Sequence, residues 1–516
     1  MAEDVSRRSF MAGAAAVAAL APAAALAAEA ADAEAYRSAT ELTQALAARK
    51  VSSRELVDAA IKRIEALDGK INAVVVRDFD RARQAADAAD AALARGERKP
   101  LRGLPMTVKE QFNVTGLPTT WGHAKFKDWQ PEADALAVQR LKAAGAVILG
   151  KTNVPVDLGD WQSYNEVYGT TNNPWDLTRT PGGSSGGAAA ALAAGFVPLE
   201  LGSDIGGSLR CPAHFCGVFS HKPSLDLIPR RGAGPPQTPE IPVRGDLAVI
   251  GPMARSAADL ALELGVLVGP DELTDGIGYK IALPAPRHDK LADFRVLVID
   301  KHPLYPTAAS ISSAIDALAD RLGGAGCKVA HQSVRLPNLA LTSIVYRELL
   351  SAFFSIDLPP ETRAGVRAAA EALSPDDHSL AAANLRGLTI SHVDWIRQSR
   401  IRNGLRAHWQ ELFGDVDVML CPPMPTVAFL HDHSEPMYRR TLDIDGQKAR
   451  YADQSVWAGI ATLNGLPATT MPISHSESGL PIGVQIVGNY LEDRTTIAFA
   501  GLVEREFGGF IRPSKV

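Results

Sequence analysis

Cysteine is scarce in this sequence. The four present in 516 residues, Cys211, Cys216, Cys327 and Cys421, are too few and too scattered for a disulfide framework, and no Cys-x-x-Cys pair marks a structural metal. They read as buried free thiols. Positive charge is not in excess either, with 53 Lys and Arg against 58 Asp and Glu and a net charge of -5. That balance removes the basic surface a nucleic-acid partner requires. Long apolar runs are missing as well: the one candidate, AGAAAVAALAPAAALA, holds about sixteen residues and is interrupted by Pro22, short of the ~20 that span a membrane. No internal repeat and no linker-like stretch divides the chain. With 46% apolar and 22% charged residues, one large globular domain with a sizeable core is predicted, and no membrane span in the mature protein.

What is there begins with an address. SRRSFM (Ser6 to Met11) is a twin-arginine pattern, followed by the mild apolar run and an Ala-x-Ala cleavage site at Ala25-Leu26-Ala27. Residues 1–27 are expected to be a twin-arginine (Tat) signal peptide, and the protein to fold in the cytoplasm and be exported to the periplasm. The folded domain is assigned to residues 35–512.

Apolar periodicity sets out the elements. A helical pattern runs from Thr40 to Leu67, with a Ser52–Glu55 capping box and Leu56, Ala60, Ile61, Ile64 and Leu67 on one face. A short strand at Ile71 to Val76 and a helix at Asp78 to Arg95 follow. GLPMTVKEQF (Gly103 to Phe112) alternates like a strand entering a loop. A helix over Asp134 to Ala144 stops at Gly145, and a strand follows at Ala146 to Gly150. The segment from Lys151 to Pro181 is loop, dense in Asn, Gly and Pro. Later strands are read at Phe294 to Asp300, Val416 to Leu420 and Ile482 to Gly488. This alternation predicts an α/β fold, a central mixed sheet covered by helices on both faces. The stretch of about 270–415 carries polar helices and loops without motifs and is assigned as a variable, substrate-shaping region.

Two serine-glycine segments carry the chemistry. In PGGSSGGAAAA (Pro181 to Ala191), Gly182-Gly183-Ser184-Ser185-Gly186 satisfies the Gly-x-Ser-x-Gly nucleophile elbow. An elbow follows a strand directly, whereas NNPWDLTRTPGG is loop material, and the later His431 and His433 lie in polar surroundings. In GSDIGGSLR (Gly202 to Arg210), glycine lets successive N–H groups of Ile205, Gly206, Gly207 and Ser208 curl around an oxygen, as an oxyanion pocket does. An ordinary tight turn is the other reading.

The run PGGSSGGAAAALAAGFVPLELGSDIGGSLRCPAHFCGVFSHKP resembles the signature block of the amidase signature family, which includes fatty acid amide hydrolase, peptide amidases and amidotransferase A subunits. GLPMTVKEQFNV, LGKTNVP, TNNPW, NGLPATTMP and GLPIGVQIVG resemble further family segments, so the likeness runs from about Ala35 to Gly488. The resemblance implies Lys109 as base, Ser184 as the bridging serine after a cis peptide from Gly183, and Ser208 as nucleophile. These residues stand 75 and 24 positions apart. It implies supporting roles for Asp204 and Arg210 and an acyl pocket near Leu158 and Trp161; Ser185 is read as a hydrogen-bonding support of the oxyanion loop, and Trp121 or Trp457 as added aromatic surface, with core packing as the other reading of the tryptophans and Leu158. Ser220, where the family usually has glycine, and Cys211, in a variable slot, put only local packing in question.

The implied activity is hydrolysis of a small-molecule amide, with no cofactor and no metal. A lysine base must be buried to lose its proton near neutral pH, and Lys109 stands behind Leu104, Met106 and Val108. An ester or carbamate hydrolase, an amidotransferase A-type subunit working in a complex, and a binding-only protein on the same scaffold are the alternatives. A homodimer is left open.

Overall fold

In the computed structural model, which describes residues 34–242 and 244–514, the helix expected from Thr40 to Leu67 is two helices, Ala39–Ala47 and Ser53–Ile71. Each opens with its own serine capping box, Ser38 with Glu41 and Ser52 with Glu55. Between them Arg49 takes a left-handed φ of 55°, which a continuous helix does not allow. The twin-arginine segment lies outside the described residues.

The strands, in chain order, are β1 (Val74–Arg77), β2 (Pro105–Lys109), β3 (Val147–Thr152), β4 (Tyr164–Asn165), β5 (Gly169–Thr170), β6 (Leu199–Asp204), β7 (Phe219–Lys222), β8 (Val249–Ala254), β9 (Arg295–Val298), β10 (Lys328–Ala330), β11 (Val418–Cys421), β12 (Thr441–Ile444), β13 (Gln447–Arg450), β14 (Ala468–His475) and β15 (Pro481–Val487). Eleven form one sheet in the order β1-β3-β2-β6-β8-β7-β14-β15-β11-β9-β10, and β4–β5 and β12–β13 are separate pairs. The sheet is mixed. β2 runs parallel to both β3 and β6, whereas β14 is antiparallel to both β7 and β15.

Alternation along each strand fills two cores. On β3, Val147 and Leu149 pack with Ala188 to Ala193 of the helix Gly186–Ala193, while Ile148 packs with Met106, Val108 and Leu141 in the other core. Helices therefore cover both faces, as the α/β reading required. The stretch of 270–415 supplies sheet as well as helices. β9 and β10 lie parallel beside β11, and the helices Leu339–Phe354, Pro360–Glu371, Leu380–Leu388 and His392–Asp415 follow. All four cysteines are free and buried. No described helix is long and apolar enough to cross a membrane.

Candidate active site

Lys109 is the last residue of β2, and strand alternation decides its surroundings. Met106 and Val108 belong to one core, so Thr107 and Lys109 point to the other face. The cover over Lys109 is thus not the Leu104, Met106 and Val108 cluster read from the sequence but the loop entering the helix Gly186–Ala193. Lys109 is fully buried. Its Nζ lies 2.6 Å from Ser184 Oγ and 3.0 Å from Ser203 Oγ, and the Ser203 hydroxyl donates to Gln111 Oε1 at 2.5 Å. Burial draws the lysine down to about 7, against the upward pull of Asp204 and Glu200.

Ser184 follows a cis peptide from Gly183 and is 1% exposed. The glycine before that bond is required: Gly182 has φ +89°, and a Cβ there would lie 2.7 Å from Pro212 Cα. The elbow reading of Ser184 finds no histidine. His431 Nε2 lies 3.0 Å from Asn172 Oδ1, and His433 stacks on Tyr164.

Ser208 sits on the loop after β6. At the end of that strand the Asp204 carboxylate accepts from the N–H groups of Gly207 (2.9 Å) and Leu209 (3.1 Å), and from Arg210 Nε (3.0 Å) and Nη2 (2.8 Å). Burial pushes this carboxyl up, but Arg210 outweighs it and holds the group at about 2. Arg210 donates further to Ala458 O, Gln485 Oε1 and Thr462 Oγ1.

Three carbonyls set the direction of the loop's N–H groups, because C=O and N–H point opposite ways across a trans peptide. Tyr346 Oη donates to Ile205 O at 2.8 Å, Trp161 Nε1 to Gly206 O at 2.8 Å, and the Cys211 N–H to Gly207 O at 2.7 Å. These bonds aim the N–H groups of Gly206, Gly207 and Ser208 away from their holders. Gly207 is corrected here: its N–H is already taken by Asp204, so it is not a free oxyanion donor. Ile205, Gly206 and Ser208 N–H meet no acceptor among the described residues.

Ser185 joins the two serine segments. Its N–H donates to Ser208 O at 3.2 Å and its hydroxyl to Ser203 O at 3.3 Å. The Ser184 and Ser208 hydroxyls are not hydrogen-bonded to each other. Ser203, Gln111 and Tyr346 were not read from the sequence as site residues. Ser203 lies inside the GSDIGGS run and Gln111 two residues past Lys109, so period-2 alternation was the available signal for the latter pair. Tyr346 had none.

A cavity of about 370 Å³ opens on Ser208, with Leu158 and Trp161 in its lining together with Ile205, Leu350 and Phe354. Trp121 and Trp457 are not part of it: Trp121 donates to Gln111 O, and Trp457 is fully buried edge-on to His302. A larger open groove of about 1460 Å³, lined by Ala257, Leu264 and Ile497, touches none of these residues. Ser220 and Cys211 are both fully buried.

A family model described as Amidase matches residues 55–497. The chain belongs to the amidase family. This amidase is 35% identical over 489 residues to the A subunit of a glutamyl-tRNA(Gln) amidotransferase from Anaeromyxobacter sp. (strain K), covering 91% of this chain and 96% of that protein. It is 33% identical over 505 residues to fatty-acid amide hydrolase 2-A of Danio rerio, covering 93% and 90%. Among solved structures it is similar to a chain from a vestigial protein complex described as revealing the evolutionary origins of an s-triazine catabolic enzyme, with 30% identity, a TM-score of 0.76, and 93% and 100% of the two chains covered. Its family makes this amidase an amide-cleaving enzyme.

Proposed function

We propose that the protein hydrolyses a small-molecule carboxylic amide to acid plus amine or ammonia through an acyl-enzyme on Ser208. The observation that carries this reading is the fully buried Lys109 amine 2.6 Å from Ser184 Oγ, with its proton affinity lowered to about 7. Neutral Lys109 takes the Ser184 proton as Ser184 takes that of Ser208. Ser208 Oγ bonds to the amide carbon, and the carbonyl electron pair moves onto oxygen, facing the Gly206 and Ser208 N–H groups. Collapse restores the carbonyl and breaks the C–N bond, and the proton held on Lys109 returns through Ser184 to the leaving nitrogen. Water then attacks the acyl-enzyme along the same relay. For the first transfer the Ser208 hydroxyl rotates onto Ser184, a bond that commonly closes only with substrate bound. Esters and carbamates would react by the same route.

The test is covalent labelling by a fluorophosphonate together with hydrolysis of simple anilides by the isolated chain. Label on Ser208, lost in Ser208→Ala, is expected. Label retained in Ser208→Ala and lost in Ser184→Ala would overturn the assignment. The 35% identity to an amidotransferase component favours a second reading, a chain that releases ammonia for aminoacyl-tRNA in a complex. Anilide turnover without any partner argues for the hydrolase.

Export to the periplasm belongs to the same proposal. It rests on SRRSFM and the Ala-x-Ala site, and it separates the protein from the translation machinery. A double Arg7→Lys, Arg8→Lys variant should stay in the cytoplasmic fraction; unchanged periplasmic recovery would refute the signal.

A further inference from the structure

The lining of the cavity at Ser208 is of two kinds. Trp161, Leu350 and Phe354 make it largely apolar, yet Arg347 and Asn384 also border it. Arg347 lies on the helix Leu339–Phe354, one residue after the Tyr346 that holds Ile205 O, and its side chain is 8% exposed. One nitrogen, Nη2, donates to Ser455 Oγ at 3.0 Å and to Ala452 O. The nearest carboxylate oxygen, on Asp453, stands 3.8 Å from Nη2 and its carboxylate is shared with Arg450 at 3.5 Å. Nη1 and Nε of Arg347 meet no protein acceptor among the described residues. Asn384 accepts from Ser351 Oγ at 2.9 Å, and its amide N–H groups meet no acceptor among the described residues. The other carboxylate in the lining, Asp160, is saturated by Tyr451 Oη and Arg440 Nη1.

Charge and hydrogen-bonding capacity therefore point the same way. With Asp160 bonded to Arg440, the lining sets two guanidinium groups, Arg347 and Arg450, against the one remaining carboxylate, Asp453, which they share, and the side-chain groups of Arg347 and Asn384 without a protein acceptor are donors. A guanidinium is best satisfied by a carboxylate. We propose that the amide substrate carries, on an otherwise apolar body, a carboxylate-class oxygen group that pairs with Arg347. This inference rests on the amide-hydrolase reading and names the substrate class of that site.

Matched substrates test it on both sides of the scissile bond. The acyl series is the 4-nitroanilide of glutaric acid with its carboxylate free, against the methyl ester of that compound and pentanoyl-4-nitroanilide. The amine series is 4-acetamidobenzoate against acetanilide. In one series the carboxylate is expected to be preferred by about tenfold or more in kcat/KM, through KM. Arg347→Met should erase that preference while neutral substrates, which also report folding, stay within about threefold, and Arg347→Lys should retain part of it. Neutral substrates matching the carboxylates in both series, or a preference that survives in Arg347→Met, would overturn the proposal. Should the wild type turn over none of them, the hydrolase reading fails by itself. The inference is then read from calorimetric affinities in a Ser208→Ala background: carboxylates binding about tenfold tighter, and only with Arg347 present, uphold it, and equal affinities overturn it.

Discussion

At the scale of single residues, hydrogen-bond polarity orders the base. Gln111 Nε2 donates to Ala233 O at 3.3 Å, which turns Oε1 toward Ser203. The one Ser203 proton goes to that oxygen, so Ser203 can only accept from Lys109, and the amine's lone pair is left for Ser184. Gln111→Leu should lower kcat about tenfold with little change in KM. Gln111→Glu should raise the lysine's proton affinity and move the acid limb of the kcat/KM profile upward by about a pH unit. An unmoved limb would refute the positioning role. In the proposed mechanism the neutral amine is the active form, and burial draws Lys109 to about 7, so the wild-type rate should climb through pH 7 and level off above it. The burial that serves catalysis costs stability. A lysine lowered from about 10.4 in the unfolded chain destabilises the fold fully below pH 7, and the penalty vanishes as pH rises toward 10.4. Lys109→Met should be inactive yet melt higher than wild type at pH 6, with the gap closing by pH 10; a lower melting temperature at pH 6 would contradict the burial cost.

At the scale of elements, the helix Gly186–Ala193 is what presses Ser184 onto Lys109, and glycine at its first turn allows that approach. A Cβ on Gly187 would lie 2.4 Å from Asn153 N and 2.8 Å from Asn153 O, which are backbone atoms just past β3 and cannot swing aside. Gly187→Ala should therefore cost about 1–3 kcal/mol and reduce activity further by displacing Ser184. Gly69, within the helix Ser53–Ile71, has nothing within 4 Å of its would-be Cβ. Gly69→Ala should be neutral or stabilise by about 0.5–1 kcal/mol. Denaturant midpoints of the pair decide it: similar midpoints would mean that the contact at Asn153 does not constrain the helix.

At the scale of the whole molecule, the N-terminal and C-terminal strands form two blocks of one sheet that meet at a single seam. β7 pairs with β14, and buried Arg210 binds Ala458, Thr462 and Gln485 from the C-terminal part while it clamps Asp204 under the Ser208 loop. Arg210→Met would leave the Asp204 charge buried without its partner, a change that costs about 3–5 kcal/mol. Loss of activity, tryptophan fluorescence and far-UV circular dichroism should coincide along a denaturant titration of the wild type. An N-terminal unit that outlasts the C-terminal strands would show that the sheet does not unfold as one body.

Much of this was written in local pattern. The Ser52–Glu55 cap, the strand at Lys109 and the helix beyond Ser185 each depend on neighbours a few residues apart, so period and punctuation suffice to place them. The glycine-serine runs likewise named Ser184 and Ser208 before any fold was known. Other decisions belong to contacts between distant segments. Which face of β2 receives Lys109's cover, that the Gly207 N–H is consumed by Asp204, and that Tyr346 reaches Ile205 across 141 positions follow only once strands and helices have packed. The sequence by itself determined which groups could react. The tertiary structure decided which of them lose their water and which hydrogen bonds remain free, because desolvation and hydrogen-bond occupancy are properties of surroundings assembled from the whole chain.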